Sequence, residues 1–183
     1  VPLSICRDRS SLIIVDVQEK LCPVMDDPRR VIYNSCRLLR GAALLEVPVT
    51  VTEQYPKGIG PTMADLRPYY DPAVVVEKIT FSSTKAAAFQ ERMKELDRPQ
   101  AVVAGIESHV CVQQTCLGLL ADGYEVFVVE DACSSRQPLD LALAMDRLRG
   151  AGAAVVSTEM VLFEWLERAD DPQFRTLLQT LIK

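Results

Sequence analysis

The 183-residue chain reads as a single α/β domain, a six-stranded parallel sheet with helices on both faces in a three-layer, Rossmann-like arrangement. Three observations predict it. Short Val- and Ile-rich runs alternate with longer amphipathic segments, the pattern of buried parallel strands joined by crossover helices. Apolar residues make up 49% and charged residues 25%, ordinary globular usage that suggests neither disorder nor a coiled coil. The length suits one sizeable core, so one domain over 1–183 is expected, with 160–183 as a helical extension.

In chain order, the first strand is expected at 11–15 and a helix at 29–45, where Val31, Cys36, Leu38, Leu39 and Ala42 recur at helical spacing. A second strand follows at 47–52. The stretch 53–70, with Pro56, Gly58, Gly60, Pro61 and Pro68, is the longest irregular region and is read as a lid or substrate loop. Strands are expected at 73–76, 100–104, 125–129 and 153–156. Between them, good helix formers fill 84–96, a helix is expected at 112–121, and 139–151 repeats apolar residues every three or four. Gly41, Gly123, Gly150 and Gly152 are expected at helix ends, where a left-handed residue is often needed. The tail is read as one or two helices, restarted at Asp170-Asp171-Pro172, with Leu162, Phe163, Trp165 and Leu166 packing on the domain or a neighbouring subunit.

Composition narrows the functional classes. Twenty Lys and Arg against twenty-five Asp and Glu leave a net charge of −5, which offers no electrostatic footprint for nucleic acid or an anionic membrane, so a small-molecule substrate is expected. No apolar run approaches membrane-spanning length, and Val1-Pro2-Leu3-Ser4 lacks the start of a signal peptide, although the chain begins without Met. The six cysteines (Cys6, Cys22, Cys36, Cys111, Cys116, Cys133) are scattered, without a CxxC pair, and read as reduced thiols of a cytoplasmic protein. Ligand-spaced pairs are missing and His109 is the only histidine, so no metal is expected. The segment Lys57-Gly58-Ile59-Gly60-Pro61-Thr62 is no phosphate-binding loop, and no other cofactor is indicated.

Candidate chemistry comes from asking which polar residues end the predicted strands, because open α/β sheets bind ligands outside the strands' carboxyl ends. The first strand runs into Asp16, the third into Glu77-Lys78, and the fourth through Gly105-Ile106-Glu107-Ser108-His109-Val110 to Cys111 at the start of a helix. A thiol there is expected to be favoured as thiolate by unpaired amides and the helix dipole. Asp16 would exchange a proton with Cys111, Lys78 would stabilise the negative charge, and backbone N–H groups near Cys111 would form an oxyanion hole. Read singly, Cys111 is a small buried hydrophobe, Asp16 a turn cap and Lys78 a solvated charge; their joint placement favours the catalytic reading. Cys116 is read as a packing residue. Gln54, Tyr55, Phe81, Ser82 and His109 are expected to line the pocket, with His109 a wall rather than a base.

The set Asp16-Val17-Gln18, Glu77-Lys78 and Gly105 to Val112, with Glu130-Asp131-Ala132-Cys133-Ser134-Ser135-Arg136 after the fifth strand, resembles the isochorismatase-like cysteine hydrolase superfamily. The resemblance runs over about 11–161. It implies a catalytic Asp-Lys-Cys triad on Asp16, Lys78 and Cys111. It further implies a cis peptide at Ile106–Glu107 that turns backbone donors toward the substrate, and assembly into homo-oligomers. Thr52-Glu53-Gln54-Tyr55-Pro56 departs from the Asp-x-His metal element of nicotinamidases, so a metal-bearing nicotinamidase is disfavoured. True isochorismatases cleave a vinyl ether without needing a thiol. Cys111 therefore points to hydrolysis of a small amide-like C–N bond through a thioester, as in the subgroup of small isochorismatase-domain hydrolases, with vinyl ether hydrolysis or a non-catalytic interaction protein as alternatives.

Overall fold

A computed structural model describes residues 4–182. Val1–Leu3 and Lys183, on which the readings of the N-terminal start and of the 160–183 extension partly fell, lie outside the described residues. The sheet comprises β1 (Ser10–Val15), β2 (Val49–Gln54), β3 (Val75–Lys78), β4 (Gln100–Ile106), β5 (Glu125–Ser134) and β6 (Ala154–Val156), all parallel in the order β3-β2-β1-β4-β5-β6. Among the described residues seven α-helices accompany it: α1 (Pro28–Leu44), α2 (Pro56–Ile59), α3 (Ala87–Leu96), α4 (Gln113–Ala121), α5 (Pro138–Ala151), α6 (Thr158–Leu166) and α7 (Phe174–Leu177).

Strand alternation sorts side chains into two cores. Leu12, Ile14, Val102, Ala104, Phe127 and Val129 face α1, α6 and α7, with Trp165 fully buried and its indole donating to Ser10 Oγ at 2.8 Å. Ile13, Val15, Ala101, Val103, Val126 and Val128 face α3, α4 and α5. Because both faces are covered, the strands read as continuous apolar runs rather than alternating ones.

Several boundaries differ from the sequence expectation for identifiable reasons. β2 begins two residues late because the Val47 N–H still closes α1, donating to Ala42 O at 2.8 Å. β3 also starts late, since Pro72–Val74 form a 3-10 turn whose N-cap Asp71 accepts from Ala73 N–H. β5 runs five residues past its expected end, in a shifted register with β4 between Val103 and Gly105. Gly41 and Gly150 sit inside α1 and α5 rather than at their ends. At Gly41 the reason is packing: a Cβ there would lie 2.2 Å from Leu162 Cδ2, so the missing side chain lets α6 approach α1. Gly152 does end α5, at φ +107°.

The 53–70 segment is not a free lid. It contains α2 and a 3-10 turn at Arg67–Tyr69, Leu66 is fully buried, and Thr62 bridges to Gln18. Gln18 Nε2 donates to Gln54 O at 2.9 Å and Gly60 O at 2.7 Å, the Met63 N–H donates to Val17 O at 2.8 Å, and Arg67 pairs with Glu19. The polar side chains of this loop are used to hold it down.

Candidate active site

Four neighbouring strands, β3, β2, β1 and β4, deliver their carboxyl ends to one rim. Val15 is in register with Thr52 and with Gly105, and Gln54 with Lys78. Asp16 follows directly on β1 in a left-handed turn at φ +52°, a conformation that Asp tolerates better than most residues, and its N–H donates to Thr52 O at 3.1 Å. Its side chain is fully buried. Thr52 Oγ1 donates to Oδ1 at 2.7 Å and Lys78 Nζ to Oδ2 at 2.7 Å.

Lys78 is as fully enclosed as its partner. Besides Asp16, its ammonium donates to Gln54 Oε1 at 2.8 Å and to the carbonyls of Thr80 and Phe81 at 3.1 Å each. Burying two charges costs several kcal/mol per ion unless the geometry is good and the remaining donors are satisfied, and here they are.

Cys111 enters from β4. After Ile106 the chain passes through a cis peptide to Glu107 and into a single π-helical turn, Ser108–Val112, ahead of α4. The carbonyl of Glu107 accepts from the Val110 N–H at 3.1 Å and the Val112 N–H at 3.2 Å, passing over that of Cys111 between them. Such one-turn π segments recur at functional sites. The Cys111 thiol is buried, and the negative charge of the Asp16 carboxylate acts on it. The structure therefore brings Asp16, Lys78 and Cys111 together.

The state of the thiol differs from the sequence expectation. Burial, then the Asp16 carboxylate, pushes Cys111 up from an ordinary 9.0 to about 12, Lys78 offsets only part of this, and Glu107 adds to it. The lysine's charge is already committed to Asp16, so the resting group is a protonated thiol rather than a thiolate.

The other expected residues are placed as follows. Gln54 is buried, with Nε2 donating to Ile79 O at 2.9 Å and Oε1 accepting from Lys78, which makes it a support for the lysine. Ser82 is also buried, its hydroxyl shared with Thr84 Oγ1 at 2.8 Å and Gln114 O at 3.1 Å, tying the loop after β3 to α4. Tyr55 and Phe81 are exposed, and the Tyr55 ring lies over Gly58. His109 Nδ1 is 2.8 Å from Ser135 Oγ, and Nε2 is 3.8 Å from Asp140 Oδ2. Glu107 is bound by Arg136, whose Nε donates to its carboxylate at 2.9 Å and whose N–H does so at 3.2 Å. Cys116 is fully buried in the α3–α5 core.

Sequence reasoning missed Thr52 and Arg136. The first was open to discovery, since the register of β1 with β2 sets Thr52 beside Asp16. The second carries no local signal, because Glu107 and Arg136 are joined only by the fold. Among the described residues no group of three or more His, Cys, Asp or Glu side chains is arranged to hold a metal ion, and no helix is long and apolar enough to cross a membrane.

Comparisons with known proteins complete the description. Residues 10–160 match the profile of the isochorismatase domain. Isochorismatase domain-containing protein 2 of Xenopus laevis is 36% identical over 177 residues, covering 96% of this chain and 85% of that protein. Among solved structures, the MAR1 ribonuclease of Caenorhabditis elegans shares 32% identity with a TM-score of 0.93, covering 99% of this chain and 93% of that one. The ycaC gene product of Escherichia coli, described as an octameric hydrolase of unknown specificity, has a TM-score of 0.92 over 100% of this chain and 92% of its own. At 23% identity that likeness shows a shared fold.

Proposed function

This chain belongs to the isochorismatase domain family, and from that membership we propose that it is a cysteine hydrolase acting on a small amide-like C–N bond through a covalent thioester. One observation carries the reading: the buried Cys111 thiol feels the charges of both Asp16 and Lys78, a fully buried pair at 2.7 Å whose carboxylate is also held by the Thr52 hydroxyl.

Because the thiol rests protonated, attack and proton transfer are coupled. Cys111 Sγ bonds to the carbonyl carbon as its proton passes to Asp16, and the carbonyl oxygen becomes an oxyanion facing backbone N–H groups of the 107–112 turn. Asp16 returns the proton to the leaving nitrogen as the C–N bond breaks, leaving a thioester. Asp16 then takes a proton from water as it attacks, and the acid departs with the thiol restored. Lys78 keeps Asp16 aimed, and Gln54 keeps Lys78 in place. Tyr55, Phe81 and His109 stand at the mouth, while Gln54 and Ser82 act behind the wall.

The name ribonuclease is not carried over from the C. elegans protein, since a net charge of −5 suits a small molecule better than a polyanion. Six free thiols fit a reducing compartment such as the cytoplasm. We further read the chain as a homo-oligomer. Exposed Leu139 and Leu143 on α5 and Met160 and Phe163 on α6 offer apolar contact surface, and the E. coli protein of the same fold is described as octameric.

The test is a screen of small carboxamides and ureido compounds by ammonia release. Cys111→Ala is expected to abolish turnover while the melting curve stays near wild type, and rapid quenching should trap an acyl mass on Cys111 in the parent. Comparable turnover by the alanine variant would end the covalent mechanism.

A further inference from the structure

We infer that this site selects uncharged substrates, accepting a neutral carboxamide and turning away a carboxylate-bearing analogue of equal size, and that Glu107 with Arg136 sets the preference. The inference rests on the proposed hydrolase reading and adds the charge class of its substrate.

The buried cation at the rim has nothing left to offer an anion. An ammonium has three N–H donors, and Lys78 already has four acceptors within 3.1 Å: Asp16 Oδ2, Gln54 Oε1 and the carbonyls of Thr80 and Phe81. Its charge is balanced at 2.7 Å by a carboxylate as deeply buried as itself. The other cation, Arg136, gives both Nε and its backbone N–H to Glu107. His109 faces Ser135 and Asp140.

The remaining field is negative because its two sources are unequally screened. The Glu107 side chain is 10% exposed, whereas that of Arg136 is 60% exposed and shares its charge with solvent. Glu107 also begins the turn that carries the nucleophile, its carbonyl bridging Val110 and Val112 on either side of Cys111, and its carboxylate acts on the thiol. Within reach of Sγ the buried charges are Asp16, Lys78 and Glu107. An approaching carboxylate thus meets a buried negative charge whose cationic partner is largely screened by solvent, and a buried ammonium with no donor to spare.

Iodoacetamide and iodoacetate form a matched pair of probes. In either reaction a bond from Cys111 Sγ to the methylene carbon forms as the C–I bond breaks, iodide leaves with the electron pair, and the thiol proton passes to Asp16 and then to solvent. Rates are read by mass spectrometry of the Cys111 peptide in the native protein and divided by the rates of free glutathione with the same reagents. Taking the ratio of the two reagents removes the thiolate fraction, so variants that alter thiol acidity remain comparable.

The neutral reagent is expected to be favoured at Cys111 about tenfold more than at glutathione, the scale of one partly screened charge. Glu107→Gln should bring the ratio to the glutathione value or below it. Arg136→Gln, a substitution at an exposed side chain that leaves the core intact, should raise it several-fold. A wild-type ratio equal to that of glutathione, or a ratio unmoved by both substitutions, would overturn the charge preference and leave the hydrolase reading standing if carboxamides still release ammonia. Failure of both reagents to reach Cys111 in the native protein would overturn both readings.

Discussion

Both oxygens of the Asp16 carboxylate are held in place, one by the Thr52 hydroxyl and one by the Lys78 ammonium, each at 2.7 Å. A carboxylate held this way has one orientation, and the proposed exchange of a proton with the thiol depends on it. Thr52→Val keeps the shape of the side chain but removes the donor, leaving Oδ1 of a buried carboxylate without its partner. The loss expected is about 1–3 kcal/mol of stability, the cost of an unmade buried hydrogen bond. In urea titrations the midpoint should fall with an unchanged slope, and kcat should fall more than KM rises because the ground-state mouth is untouched. Unchanged stability and turnover would mean that Thr52 only fills space. At this scale the sequence could disclose residues whose place follows from strand ends, which is why Asp16, Lys78 and Cys111 were legible. It could not disclose that Gln54 turns inward to the lysine, that Ser82 bonds to α4, or that the thiol rests protonated. Those outcomes depend on burial and on partners from distant elements.

The element that places Cys111 is the end of β4. Gly105 adopts φ +129°, and a Cβ on it would lie 2.1 Å from the carbonyl oxygen of Val15, the residue just before Asp16. The strands leading to Asp16 and Cys111 can therefore approach only because this position has no side chain. Gly105→Ala should cost about 3 kcal/mol or more, combining forbidden backbone with a backbone clash, and lower the melting temperature by about 10 °C. Gly123→Ala is the control: φ there is +89°, but nothing lies within 4 Å of the added atom, so about 1 kcal/mol is expected. Equal effects would show that the contact with Val15 is relieved by a small shift. Strand count, order of elements and parallel character were all legible, because continuous apolar runs between amphipathic segments have one economical solution. Boundaries were less so. The second half of β5 carries Glu130-Asp131 amid its apolar residues, which breaks the apolar run while the backbone pairing continues past it. Gly41 looked like a helix stop because its true reason, the contact with Leu162, lies in another helix.

Across the whole molecule, burial has one consequence that no single site explains. Four thiols besides Cys111 are held protonated above the ordinary 9.0: burial, with Asp65 adding to it, raises Cys22 and Cys36 to about 11, burial raises Cys133 to about 12, and burial also lifts the fully enclosed Cys116 well above the ordinary value. Unfolding would return each thiol to water, where it ionises near its ordinary value. Between pH 9 and 11 the native chain therefore binds more protons than the unfolded one, and stability falls as pH rises. The contribution is fully present below pH 9 and lost as pH climbs through the folded values. Each fully buried thiol removes about 1.4 kcal/mol per pH unit in that window, with half-buried Cys36 contributing less. Urea midpoints measured in reductant at pH 8, 9 and 10 should fall modestly over the first step and about three times as far over the second. Cys133→Ala, which leaves the site residues in place, should make the second drop shallower by about one proton. A midpoint that stays level to pH 10 would mean that the thiols ionise within the folded protein, and a Cys111 thiolate could then form without help from Asp16.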